Sequence, residues 1–387
     1  MLRRDAKLLA SCFFAGILLT FTAMAQGPLV FPTPSTCSTL TGTTNPCSLL
    51  PAAVNTPFSQ TLAASGGTPP YTWTVLSSTQ PLNQLGLSLD PATGLLSANN
   101  LISGGGNMVM QVLVTDSGLP TPLSASENFV LNIYTGLASR ARTSVFPQIA
   151  AGAGWGTTIY LSNTTGSAAS AQIAFRDANA NALPLPVQST QPGFPAMTTT
   201  ATVLYYVMPP NSSVVIQNTN SAGPTLLQGW ADVLTTGGVS AFAVFRQAFP
   251  PGVLSAFPNG GFTEGVSAQQ GQFSATVTLP FDNTGGLVTA VALASISNLP
   301  PNVTATVYDI NGTATSYPVP SGSPLVTLGR TAFTLPDNFP ASANTRGFVV
   351  FQNMNNVNGQ GTLSGLALNF NSGVFVSFPA FESATTQ

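Results

Sequence analysis

The chain has 387 residues, of which 44% are hydrophobic and only 5% are charged, against a usual charged share of about 25%. It contains no histidine, and its one lysine is Lys7. Because histidine supplies most general bases and many zinc ligands, Ser-His-Asp catalysis, Cys-His catalysis and His-ligated metal sites are excluded. A conventional enzyme is therefore not expected.

The N-terminus has the pattern of a secretory signal peptide, with a basic start at 3–7, an apolar run at 8–21 and small residues at 23–25. We predict a signal peptide over residues 1–25 and cleavage before Gln26. An uncleaved membrane anchor is the weaker alternative, because the apolar run is shorter than the ~20 residues that span a bilayer. No transmembrane segment is expected after cleavage.

The segment at 26–50 is a linker that carries two cysteines, Cys37 and Cys47. An exported chain reaches an oxidising compartment, so we predict a disulfide between them, with two free thiols as the alternative. Beyond residue 25 the chain has six arginines and ten acidic residues, a net charge of −4. Such a chain would neutralise few phosphates, so nucleic acid is excluded as a partner.

Alternating apolar residues predict short strands along the rest of the chain. In Asn107–Thr115, Met108 and Val112 fall on one face and Gln111 on the other. Similar segments occur at 129–133, 157–161, 203–207, 214–216, 239–245, 303–308 and 348–351. Clusters of Gly, Pro and Asn separate them, a pattern typical of all-β sandwiches or barrels.

Residues 51–136 carry four ordered motifs, at 57–62, 66–73, 86–94 and 112–117. They resemble bacterial Ig-like modules related to cadherin and dystroglycan-type repeats. The resemblance implies an Ig-like β-sandwich of the kind found in exported surface proteins. Trp73 would fill the space between its two sheets.

The same resemblance implies calcium binding. Asp90 and Asp116 stand at positions similar to two acidic sites of cadherin-type modules, although Asn55 stands where a glutamate is usual. Calcium takes six to eight oxygen ligands, so two aspartates are a small part of a site. The alternative is that each aspartate opens a turn. No other cofactor is expected.

An internal repeat follows. Residues 154–162 align with 286–294, and 175–179 with 307–311, at the same offset of 132. We predict two β-sandwich repeats, at 137–257 and 258–383, with a Gly-, Pro- and Gln-rich connection at 251–277. The repeats resemble the C-terminal region of uncharacterised secreted bacterial proteins, which implies no activity. The predicted fold class is all-β: an Ig-like β-sandwich followed by two tandem repeated β-sandwich domains.

Candidate chemistry is sparse. The acids are scattered singly, and Asp177 and Asp309 recur at matching places in the repeats, which suggests turns. Trp155 and Trp230 could stack on sugar rings, or could pack in the cores as large aromatics usually do.

The leading hypothesis is a non-catalytic protein for adhesion or extracellular interaction, extracellular or at the outer surface of a bacterium. Its partner would be an unidentified extracellular protein or glycan. The alternatives are a carbohydrate-binding module protein and, more weakly, a carboxylate-dependent hydrolase.

Overall fold

The computed structural model describes residues 27–31, 47–102, 106–135, 139–192, 194, 196–219, 223–249, 261–267, 274–319, 325–355, 362–371, 374–378 and 380–382. For 249, 261–267, 374 and 381–382 only the backbone is described. The predicted signal peptide (1–25) and Cys37 lie outside the described residues. Signal cleavage and the Cys37–Cys47 disulfide therefore stay predictions.

The described part of the first sandwich has eight strands in two sheets. They are β1 Cys47–Ser48, β2 Ala52–Ala53, β3 Phe58–Thr61, β4 Thr72–Ser78, β5 Ser88–Leu89, β6 Leu95–Ala98, β7 Gly106–Thr115 and β8 Ser124–Tyr134. One sheet has the order β1-β8-β7-β4, with β2 also on β8, and the other has the order β3-β6-β5. The short strands β1 and β2 run parallel to β8. A 3₁₀ helix, Leu82–Leu85, precedes β5.

The predicted alternation in β7 is confirmed. Met108, Met110, Val112 and Val114 are all at most 1% exposed, because every second side chain of the strand points between the sheets. Trp73 of β4 is 4% exposed in the same core, as the sequence suggested. Gly94 lies directly against its indole ring, where a Cβ would come within 2.7 Å of the ring.

Ten strands, again in two sheets, are described for the second sandwich. They are β9 Ala141–Ala151, β10 Trp155–Asn163, β11 Ala169–Arg176, β12 Leu185–Thr190, β13 Met197–Ala201, β14 Val203–Met208, β15 Ser212–Asn218, β16 Leu227–Thr235, β17 Val239–Phe249 and β18 Gly261–Ser267. The sheet orders are β14-β11-β16-β9 and β13-β12-β15-β10-β17-β18.

The third sandwich follows. Its strands are β19 Thr276–Asp282, β20 Val288–Ser295, β21 Val303–Asp309, β22 Ala314–Pro318, β23 Arg330–Thr334, β24 Arg346–Asn353, β25 Leu363–Asn371, β26 Val374–Phe378 and β27 Phe381–Glu382. The sheet orders are β22-β21-β24-β19-β27 and β23-β20-β25-β26. One helical turn, α1 Leu335–Asn338, and a 3₁₀ helix, Pro340–Ser342, lie between β23 and β24.

The second and third sandwiches share one topology. The order β14-β11-β16-β9 corresponds to β22-β21-β24-β19, and β15-β10-β17-β18 corresponds to β23-β20-β25-β26. Gly229 of β16 and Gly347 of β24 are also equivalent, because a Cβ at either would clash with the carbonyl of Arg176 or Tyr308 on the neighbouring strand. The fold is therefore an Ig-like β-sandwich followed by two repeated β-sandwiches.

One segment departs from the sequence-based interpretation. Residues 261–267, expected within the connection between repeats, form β18 and pair with β17 in the second sandwich. The sequence pattern predicts that the second repeat begins at residue 258. Pairing with an open edge of the sheet explains the difference, since it satisfies backbone groups of a segment whose composition resembles a loop.

The second and third sandwiches pack directly against each other. One apolar cluster at their junction joins Val145 and Trp230 to Ala294 and Ile296. A second cluster, formed by Phe245, Leu366 and Phe375, is covered by the partly buried Trp155, Leu368 and Phe370. The described part of the chain has no helix long and apolar enough to cross a membrane.

Candidate functional site

Asp90 and Asp116, the predicted calcium ligands, both serve turns. Asp90 Oδ1 accepts hydrogen bonds from the amides of Ala92 (2.8 Å) and Thr93 (3.1 Å). Asp116 accepts from the amides of Thr68 (2.8 Å), Gly118 (3.2 Å) and Leu123 (2.6 Å). These bonds match the alternative interpretation of turn-forming aspartates. Calcium binding at the two aspartates stays a prediction that titration calorimetry would test.

Hydrogen bonds from backbone amides also set the electrostatics of these acids. The amide of Ala92 is the main reason that the pKa of Asp90 lies below its ordinary value, and the amide of Thr68 does the same for Asp116. Among the described residues, no three His, Cys, Asp or Glu side chains come together as a metal site.

Four further carboxylates, those of Asp177, Asp309, Asp232 and Asp282, are engaged in turns or ion pairs. Asp177 and Asp309 each accept two backbone amides in equivalent turns after β11 and β21, as the repeat predicted. Asp232 is 3% exposed and forms a bidentate ion pair with Arg142, in which Nε lies 2.7 Å from Oδ1 and Nη2 lies 2.8 Å from Oδ2. The hydrogen bond from the Thr284 hydroxyl is the main reason that the pKa of Asp282 lies below its ordinary value. A glycosidase acid requires the opposite, a raised pKa.

Of the predicted stacking residues, Trp230 is fully buried. Its ring, 0% exposed, packs between the second and third sandwiches, and the Arg176 guanidinium lies 5.8 Å from its centroid. Trp230 therefore follows the alternative of core packing and not that of stacking on a sugar, because no face of the ring reaches solvent. Trp155 is half-buried, with its ring 5.3 Å from that of Phe375.

Two stacked pairs of aromatic side chains lie on outer sheet faces instead. The first aromatic pair joins Tyr160 of β10 to Phe242 of β17, with centroids 4.6 Å apart and planes 10° apart. The second aromatic pair joins Tyr308 of β21 to Phe348 of β24, at 4.7 Å and 15°. Phe242 is 39% exposed and Phe348 is 41% exposed. Each repeated sandwich thus presents one aromatic platform to solvent.

The platforms have mostly uncharged neighbours. By strand register, the side chains nearest the first aromatic pair on its face are those of Thr158, Ser162, Val215, Ser240 and Val244. Beside the second pair lie Pro280, Thr306 and Val350, with the Arg346–Asp282 ion pair (3.4 Å) at one end. Both faces combine apolar area with hydroxyl groups, which suits contact with polar, uncharged surfaces.

A cavity of about 160 Å³, here called the inter-repeat cleft, opens between the second and third sandwiches. Its apolar lining includes Trp155, Phe245, Leu366 and Phe370. Its polar lining consists of Gln148, Gln228 and Arg330. The cleft exists because β20, β23 and β25 of one repeat face β9, β10, β16 and β17 of the other.

Arg330, the first residue of β23, is the unusual group of this cleft. It is 6% exposed, and its Nε donates to the carbonyl oxygen of Pro147 (3.1 Å) while Nη2 donates to the side-chain oxygen of Gln148. Burial lowers the pKa of Arg330 to about 10, so the side chain stays protonated at neutral pH. No carboxylate among the described side chains pairs with it.

A second cavity, of about 250 Å³, lies between the first and second sandwiches. Leu50, Phe58, Met197 and Tyr205 line it together with Arg140. Unlike Arg330, Arg140 has a solvent-facing partner, because its guanidinium carbon lies 5.4 Å from the centroid of the partly exposed Tyr205 ring. Arg140 is half-buried, so its charge is less enclosed than that of Arg330.

Sequence reasoning missed Arg330, Gln148 and Gln228 of the cleft, and Phe242, Tyr308 and Phe348 of the aromatic pairs, as candidate site residues. Arg330 follows Gly329 in no recognisable motif, and its burial arises from contact with a strand about 180 residues earlier. The strand pattern of 348–351 was recognised, but it does not indicate which of its apolar side chains face solvent.

Comparison with known proteins gave no match to a family model and no match among curated proteins. Three solved structures are similar over most of the chain. A SusE-like, surface-located polysaccharide-binding protein of Bacteroides thetaiotaomicron is 10% identical, with 87% of this chain and 60% of that chain covered and a TM-score of 0.19.

The other two are a protocadherin gammaB7 EC3-6 structure (9% identity, 86% and 72% covered, TM-score 0.19) and a titin I9–I11 tandem (9%, 87% and 95%, TM-score 0.15). All are β-sandwich types. Because the TM-scores are below 0.2, the fold assignment depends on the strand pairing above. Fold and site together define the class as an all-β protein of Ig-like tandem sandwiches.

Proposed function

We propose that the chain is a non-catalytic protein of the bacterial exterior that mediates adhesion or another extracellular interaction through outer faces of its sandwiches. The observation that carries the proposal is the exposed aromatic pair on each repeated sandwich, Tyr160–Phe242 and Tyr308–Phe348. Aromatic side chains on rigid strands offer a large contact area and lose little conformational entropy on binding.

The carboxylates support a non-catalytic role. Asp90, Asp116 and Asp309 are held by backbone amides, which lower their pKa values, and Asp232 is held by Arg142. A general acid at neutral pH needs a raised pKa and access to substrate. These four carboxylates serve turns and an ion pair instead.

Carbohydrate binding is the second candidate, and the first aromatic pair favours it. Tyr160 and Phe242 lie on a face that also carries the exposed amides of Gln217 and Gln188. Gln217 is on β15, the strand next to β10, and Gln188 is on β12, one strand further away. Aromatic rings beside amide and hydroxyl groups can stack on a sugar while the polar groups bind its hydroxyls. Trp155 lies elsewhere, in the inter-repeat cleft.

The test is an adhesion assay of the mature chain on bacterial cells and matrix, run beside a glycan array. We expect adhesion to be lost in the double variant F242A/F348A. It should be kept in L119A, which removes a 90% exposed leucine from the first sandwich. Array binding that is lost in the same double variant would establish the carbohydrate candidate. Absence of adhesion and of array binding, or turnover of an array glycan, would refute the proposal.

A further inference from the structure

The inter-repeat cleft contains a buried cation that no described carboxylate neutralises. A guanidinium has five N–H donors, and Arg330 uses two of them on Pro147 and Gln148. The other three have no acceptor within the described part of the chain. Nη1 makes no hydrogen bond with the described residues and is not sealed from solvent, so an acceptor that enters from solvent can reach it.

Asp282 pairs with Arg346, and Asp232 pairs with Arg142, so these two ion pairs use other arginines. Arg330 therefore keeps three N–H donors and a full charge for an acceptor that enters from solvent. A guanidinium matches a carboxylate best, because two parallel N–H groups meet two oxygens.

The apolar lining of the cleft indicates the chemistry of the uncharged part of the ligand. Its lining is apolar at Phe245, Leu366 and Phe370, and the half-buried ring of Trp155 forms one side. The volume of about 160 Å³ suits a single ring, since an apolar protein cavity of about 150 Å³ binds benzene. The exposed amide of Gln228 lies at the rim, where it can bind a hydroxyl or carboxylate oxygen.

We infer that the inter-repeat cleft binds a small ligand in which one six-membered ring carries one carboxylate. Arg330 binds the carboxylate, the ring lies against Trp155 and Phe245, and Gln228 binds a polar group at the rim. The site is separate from the aromatic pairs, so it does not depend on the proposed function. A uronic acid and an aromatic acid share this chemistry, and the experiment distinguishes them.

The experiment is a calorimetric titration of the mature chain with galacturonate, glucuronate and benzoate. Galactose, glucose and benzyl alcohol are the uncharged counterparts. We expect at least one acid to bind about tenfold or more tightly than its counterpart. Binding of the uronates alone identifies a hydroxylated ring, and binding of benzoate alone identifies an aromatic one. If no acid binds at about 10 mM, or if acid and counterpart bind equally, the inference is wrong.

Two variants connect the binding to the cleft. R330M should weaken binding about tenfold or more, because the guanidinium that binds the carboxylate is lost. If R330M does not fold, Q228A decides, since Gln228 is exposed and makes no hydrogen bond with Arg330 in the structure. Q228A should weaken binding about threefold or more, whereas Q84A, which changes an exposed glutamine in the 3₁₀ helix of the first sandwich, should not change it. Equal binding by Q228A and Q84A would contradict the inference.

Discussion

Thr157 and Thr289 occupy equivalent positions in the two repeated sandwiches and make the same pair of hydrogen bonds. The Thr157 hydroxyl donates to the carbonyl of Ala150 (2.8 Å) and accepts from its amide (3.0 Å). The Thr289 hydroxyl does the same with Asp282, at 3.1 and 3.2 Å. In each sandwich this threonine therefore ties one sheet to the other at the end of the core.

Replacement of either threonine by valine should destabilise its sandwich. The shape is kept, but a buried amide and carbonyl lose their partner, so we expect a loss of about 1–3 kcal/mol in the free energy of unfolding. Urea denaturation of T157V and T289V measures it. T158V is the matched control, because Thr158 lies on the outer face of the same strand. A loss in T157V no larger than in T158V would contradict this role.

Truncation of Trp230 should be the most damaging single change among the tryptophans. The ring is fully buried at the junction of the repeats, so W230A leaves a large cavity and should cost about 3–5 kcal/mol. F348A, which removes an exposed ring of the second aromatic pair, should cost about 1 kcal/mol. Thermal and urea denaturation compare them, and similar losses would mean that Trp230 is less well packed than the structure shows.

Asp116 should make the stability of the first sandwich depend on pH, with a loss of stability in acid. The amide of Thr68, above all, holds the pKa of Asp116 below its unfolded value of about 3.9. This stabilisation is fully present above the unfolded pKa and is lost as the pH falls through the folded pKa.

We therefore expect D116N to unfold at a lower temperature than the wild type at neutral pH, with a smaller difference in strong acid. Melting curves from about pH 7 to pH 2 test this sign. D337N, at the exposed Asp337 of the third sandwich, is the control and should melt like the wild type near neutral pH. A difference between D116N and wild type that grows in acid would show that the sign is wrong.

The exported chain should begin at Gln26 and contain a Cys37–Cys47 disulfide. Cys47 is buried at the start of β1, where a short covalent loop would hold the N-terminal segment against β8. Reduction should then cost about 2–3 kcal/mol, measured by urea denaturation with and without reductant. N-terminal sequencing and the mass after alkylation check cleavage and bond. The variant C37A should match the reduced protein, and equal stability of all forms would refute a stabilising disulfide.

Local pattern was enough to predict most of the fold. The alternation in Asn107–Thr115 identifies β7, because the burial of every second side chain follows from strand geometry alone. The recurrence of Asp177 at Asp309 likewise predicts equivalent turns, since an aspartate caps the amides of residues that follow it directly. The tandem repeat predicts equal topology for the same reason, because equal local signals lead to equal strands.

Only the tertiary structure determines which side chains of those elements become buried where the elements meet. Trp155 and Trp230 are the same residue type, yet one is half-buried at a cleft and the other fully buried at a junction. Residues 261–267 become a strand because an edge of the second sandwich is open to them. Arg330 becomes a buried cation because a distant repeat covers it. Burial and charge environment arise from contacts between elements far apart in the chain, and the local sequence carries no record of those contacts.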